Sequence, residues 1–232
     1  MALDLYAGGF SRYYAREWEN VVQAQARLDG INYNVIRLPD DPGPTDWDEA
    51  TACVNAWRAE MLQGLGQHAP AELDWDESRN APYHTDRPNW DGYAALVLLA
   101  ACTACKEPLP AQLPQDALAS EVVLRTHDPA IRPGYRSITK AQLWVPALFT
   151  FTFDFPDLTD EKSHIASVAC LIEDLASLMA IHQITEADLA ASLRDGYADG
   201  APFMPIARFG LAIFLSVARK AHKDRLPMCL NF

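Results

Sequence analysis

Residues 72–96, ELDWDESRNAPYHTDRPNWDGYAAL, put two tryptophans, two tyrosines, one histidine and six carboxylates within 25 positions. Three kinds of chemistry fit that set. In the first, His84 is a general base oriented by Asp86 or Asp91, since imidazole titrates near neutral pH. Tyr83, Trp75 and Trp90 would then wall a pocket that excludes water, and the chain would be a small hydrolase or transferase. In the second, the stretch is structural. Thr85 or Asp86 caps a helix, Pro88 starts it, Asp91 lies near its positive dipole end, and the aromatic rings fold the loop onto the core. In the third, Asp74, Trp75, Asp76, Glu77, Tyr83, His84 and Trp90 form a partner-binding surface, because aromatic anchors with a charged border are typical of interfaces.

Other chemistries find less support. His68, His84, His127, His164, His182 and His222 form no H-E-x-x-H and no metal-ligand spacing with one another or with cysteine, so no metal site is expected. Cys102 and Cys105 have C-x-x-C spacing, but they fall near the end of an apolar helix, where the dipole does not favour a thiolate. Phosphate-loop, dinucleotide and nucleophile-elbow motifs are missing, and no cofactor is expected. Gly8 and Gly9 precede a helix, a place where a phosphate could sit.

Charge narrows the classes further. The net charge is −12, which disfavours nucleic acid and anionic membranes as partners. Residues 1–100 carry 7 Lys and Arg against 16 Asp and Glu, a net of −9; the remainder carries 12 against 15, a net of −3. The acids of 40–49 (Asp40, Asp41, Asp46, Asp48, Glu49) and of 72–77 (Glu72, Asp74, Asp76, Glu77) flank one long helix. That helix would hold the two groups about 30 Å apart. The balance points to a soluble acidic binding protein that neutralises a basic protein partner, as an immunity protein does a toxin. The hydrolase or transferase centred on His84, Asp86 and Asp91 is the alternative. Oligomeric state is left open. Five cysteines, odd in number and irregularly spaced, fit a reducing cytoplasm, and MALDLYAGGFSRYY does not read as a secretory signal.

The elements that must position these residues follow from periodicity. ALDLYA (2–7) and INYNVIRL (31–38) read as strands, and helices are expected at about 11–29, 46–65, 88–105, 114–125, 165–181, 186–195 and 204–222. Thr45 with Asp48 reads as the capping box of the second helix. FTFTFDF (149–155) reads as a strand with all four phenylalanines on one face, and QLWVPAL before it as the same strand broken at Pro146. The terminal RLPMCLNF is extended and is expected to pair with the first strand. The expected fold is α+β: one compact domain over 1–232, with six or seven helices around a small sheet of three or four strands.

Overall fold

Strand β1 (Asp4–Ala7) shows how the chain builds its layers: Leu5 and Ala7 face one side of the sheet and Tyr6 the other, and all are buried. A computed structural model of the chain describes residues 3–32, 44–70, 73–128, 134–159 and 161–231. Most of the strand expected over 31–38, together with Asp40, Asp41 and Glu72, lies outside the described residues.

The sheet is mixed and six-stranded. It comprises β1, β2 (His84–Asp86), β3 (Leu143–Val145), β4 (Phe153–Pro156), β5 (Lys162–Ser167) and β6 (Met228–Asn231), in the order β2-β1-β6-β3-β5-β4. The first and last strands pair antiparallel, Leu5 opposite Leu230 and Tyr6 opposite Cys229, as the sequence leads one to expect. β3 and β5 are parallel; the other pairs are antiparallel. Two of the strands, β2 and β5, carry no strong alternating signal and are read from the sequence as loop and helix.

Nine α-helices occur among the described residues, more than the sequence leads one to expect. They are α1 (Phe10–Tyr14), α2 (Val21–Leu28), α3 (Trp47–Leu65), α4 (Asn89–Cys105), α5 (Glu121–His127), α6 (Arg136–Thr139), α7 (Val168–Ile181), α8 (Glu186–Asp195) and α9 (Phe203–Asp224). The helix expected at 11–29 is two helices. The chain breaks at Arg16, which takes φ 56°, and Asn20 with Gln23 then forms a capping box that starts α2. Asp46, not Thr45, caps α3 through the N–H groups of Asp48 and Glu49. The phenylalanine run also differs from expectation. Only Phe153 and Phe155 lie on a strand, with Asp154 between them pairing with Lys162, while Phe149 and Phe151 stack in the loop before it. β3 and β4 are separate strands with β5 between them.

Helices cover both faces of the sheet. On one face, α4 and α9 pack with α7 over Leu5, Trp144, Ala166 and Met228. On the other, α1 and α3 pack over Tyr6, Leu143, Val145 and Ile165, and Trp57 of α3 donates its indole N–H to the Pro156 carbonyl at 2.7 Å. The α4–α9 contact is so close that a Cβ at Gly210 would overlap the Gly92 carbonyl oxygen and lie 2.7 Å from its carbon. The apolar run of α4 is buried nearly all round, as its composition implies. Among the described residues, no single helix is long and apolar enough to cross a membrane.

Gly210→Ala should therefore destabilise the protein by about 3 kcal/mol, because the two helices must move apart. Gly64→Ala, in α3 with Phe155 at an ordinary 3.7 Å, should instead stabilise by about 0.5–1 kcal/mol. Urea denaturation of both variants reads the difference.

Candidate functional site

The segment 73–86 crosses one end of the molecule, and a single side chain fixes its path. Glu77 turns inward, its side chain 8% exposed. Its two carboxylate oxygens accept from the backbone N–H groups of Phe10 at 3.0 Å and Ser11 at 2.7 Å, and from the indole N–H of Trp75. Arg58 lies 3.9 Å from the same carboxylate. The glycine turn after β1 therefore does hold an anion at a helix start, but the anion is the chain's own. A Cβ at Gly9 would come within 2.8 Å of the Glu77 carboxylate, so this turn needs glycine for close approach.

Trp75 is 6% exposed. Its ring lies 4.2 Å under the Arg58 guanidinium and meets Phe10 edge-on at 5.9 Å. Asp74 and Asp76 point outward on either side of it. Asp74 is 83% exposed, and Arg58, which also reaches Asn55, holds it beside the middle of α3. Tyr83 is half-buried. It stacks on Tyr6, and Arg12 lies 5.0 Å over its ring and donates to the Ala81 carbonyl at 3.3 Å.

The next residue faces the opposite side of the sheet. His84 Nε2 lies 2.8 Å from an Asp224 oxygen, at the end of α9. Asp86, two residues on and on the same face, accepts from the Arg87 N–H at 2.9 Å and lies in the field of Lys220. Arg87 itself grips the buried Asp4 through both carboxylate oxygens, which anchors β1 to the start of α4.

Asp91 is remote from these groups. It lies near Tyr197, which packs on Phe209, and its neighbour Gly92 touches Gly210. Gly210 and Asp224 are fourteen residues apart on α9, so about 21 Å separates the two ends of the presumed catalytic group. Trp90, 38% exposed, shares the Asp91 end. The structure thus brings His84 to Asp224 rather than to Asp91. Neither the cavity of about 590 Å³ beside α9 nor the cleft of about 420 Å³ beside α2 is lined by His84, Asp86 or Asp91.

The seven residues singled out for partner binding likewise do not share a surface. Trp75 and Glu77 are interior, Asp74 lies beside α3, Asp76 caps Ser78 near the glycine turn, His84 faces α9, and Trp90 sits in the first turn of α4. Arg12, Arg58 and Asp224 organise the region, and no local spacing signals them because their partners are 67, 16 and 140 residues away. Cys102 is buried and its thiol is pushed up by that burial, while Cys105 is half-buried. All five cysteines are free thiols.

Two outcomes follow. Glu77→Ala leaves two backbone donors and an indole short of an acceptor and should cost about 3 kcal/mol in chemical denaturation. Asp74→Ala should cost no more than about 1 kcal/mol. Burial raises the Asp86 carboxyl above its ordinary value, against the lowering by the Arg87 N–H and Lys220. A folded value above the unfolded one means that ionisation costs stability. That cost is absent in acid and grows as pH rises through the folded value. Asp86→Asn should then be more stable than the parent at neutral pH and equal to it near the acid limit, read as the difference in unfolding midpoint across pH.

Against this geometry, no family model matches the chain, and neither a curated protein nor a solved structure matches it significantly.

Proposed function

We propose that the chain is an acidic cytoplasmic binding protein that neutralises a basic protein partner, in the manner of an immunity protein, through the exposed side of α3 and the adjoining Asp74 and Asp76. The observation that supports this most is the return of residues 73–75 alongside α3. Helix length alone would hold the two acidic groups at its ends about 30 Å apart. Arg58 instead draws Asp74 to the helix middle, roughly 15 Å from the acids of its first turn.

The surface so formed has Asp48, Glu49 and Glu60 exposed on the helix, with Ala52, Cys53, Asn55, Ala56 and Ala59 exposed between them. Small side chains keep this strip flat, and acids border it. A basic segment laid along it would gain charge complementarity, which raises the association rate and selects the partner. Little side-chain ordering would be needed, because the short residues have few rotamers to lose.

The test is capture at low salt from the source cell's lysate, followed by titration of the retained protein with charge-reversed variants. Glu60→Lys, Asp74→Lys and Asp76→Lys together should weaken binding by ten-fold or more and flatten its salt dependence, with the unfolding midpoint within about 1 kcal/mol of the parent. Glu77 is left intact because it is structural. Unchanged affinity in the triple variant would rule out this surface.

A further inference from the structure

β1, β3 and β5 run in the same direction, so their carboxyl ends meet at one edge of the sheet. In mostly parallel sheets this edge takes ligands, and here β3 and β5 form the one parallel pair among the described residues. A cavity of about 590 Å³ opens there, within the range of small-molecule sites. Its apolar wall is Pro146, Ala147 and Leu148, which follow β3, with Ala169 from the first turn of α7; its basic wall is His222 and Arg225, from the end of α9. Leu148 stands 79% exposed.

The electrostatics of this corner run against the rest of the molecule. In a chain of net charge −12, residues 219–225 (RKAHKDR) carry four Lys and Arg against a single acid, with Arg219 paired to Glu186 at 2.6 Å. That acid, Asp224, is engaged by His84 at 2.8 Å. The start of α7 adds the positive end of a 14-residue helix. It contributes field more than donors, because Ser167 already accepts from the N–H groups of Ala169 and Cys170. Arg225 also sits in the left-handed region, at φ 54° and ψ 50°, where glycine would be free of strain. Lys106 closes α4 in the same conformation, so Arg225→Gly changes the side chain at a position whose backbone glycine accepts.

We propose that this cavity binds a small monocarboxylate with an apolar tail, the class of medium-chain fatty acids and aryl acids. The carboxylate sits on Arg225 and His222, since a guanidinium fork matches a carboxylate with two parallel hydrogen bonds. The tail lies against Pro146, Ala147, Leu148 and Ala169. The apolar wall has no donors for a sugar or a nucleotide. The site uses none of the residues assigned to the protein partner, so the two readings stand or fall separately.

Calorimetric titration of the full chain with decanoate, decanol and inorganic phosphate, each below any micelle concentration, tests this. Saturable one-to-one binding of decanoate is expected, at least ten-fold tighter than decanol, with no binding of phosphate alone. Arg225→Gly suits its backbone conformation, so the urea midpoint should hold or rise while decanoate affinity falls ten-fold or more. Ala169→Phe should fill the cavity and abolish binding of both decanoate and decanol. The proposal is overturned if decanoate does not bind, if phosphate binds as well as decanoate, or if the two folded variants bind like the parent.

Discussion

A carboxylate buried at the start of α1 is the constraint on which this end of the molecule depends. Glu77 is charged and almost wholly removed from water, so its cost must be met by donors, and it has them: two backbone N–H groups, an indole N–H and a nearby guanidinium. Those donors come from segments separated by 66 and 67 residues. Meeting the charge therefore fixes how the loop after α3 lies across the glycine turn after β1. Trp75 is then obliged to enter the gap between Phe10 and Arg58, and the residues on either side of it are obliged to face out. The exposed acids beside α3 are a consequence of the buried one.

Much of the frame is legible in the sequence, for identifiable reasons. α3, α4, α8 and α9 each have a capping signal or a long apolar period, and their expected bounds lie within about two residues of the observed ones. The first and last strands, β1 and β6, pair as their patterns imply. Elsewhere the local signal misleads. FTFTFDF has perfect alternation, yet Pro146 and the crossing of β5 between β3 and β4 leave only its second half on a strand. Residues 165–167 read as the start of a helix because Ile165 and Ala166 continue the apolar period into α7. What makes them a strand is pairing with β3, a tertiary fact that propensity does not carry.

The candidate site was less legible than the frame, for a related reason. Within 72–96 the residue types invite a single reading, but β2 runs through the middle of the stretch and its period of two divides it. Tyr83 goes to the aromatic face with Tyr6, and His84 goes to the helical face with Asp224. A strand at the sheet edge thus sends neighbouring residues to different environments. Trp90 and Asp91 then enter the first turn of α4, beside the Gly92–Gly210 contact with the interior of α9. Proximity in sequence holds on one face of a helix, and it fails across a strand.

The same topology explains why opposite charges collect in different places. α9 runs back toward the carboxyl ends of β1, β3 and β5, so its last turn, rich in lysine and arginine, is delivered to that edge; cations at a helix C-terminus are favoured by the dipole. α3 lies on the opposite face of the sheet with acids in its first turn, also where the dipole favours them. Each helix satisfies its own termini locally. The sheet between them keeps the acidic first turn of α3 and the basic last turn of α9 on opposite faces.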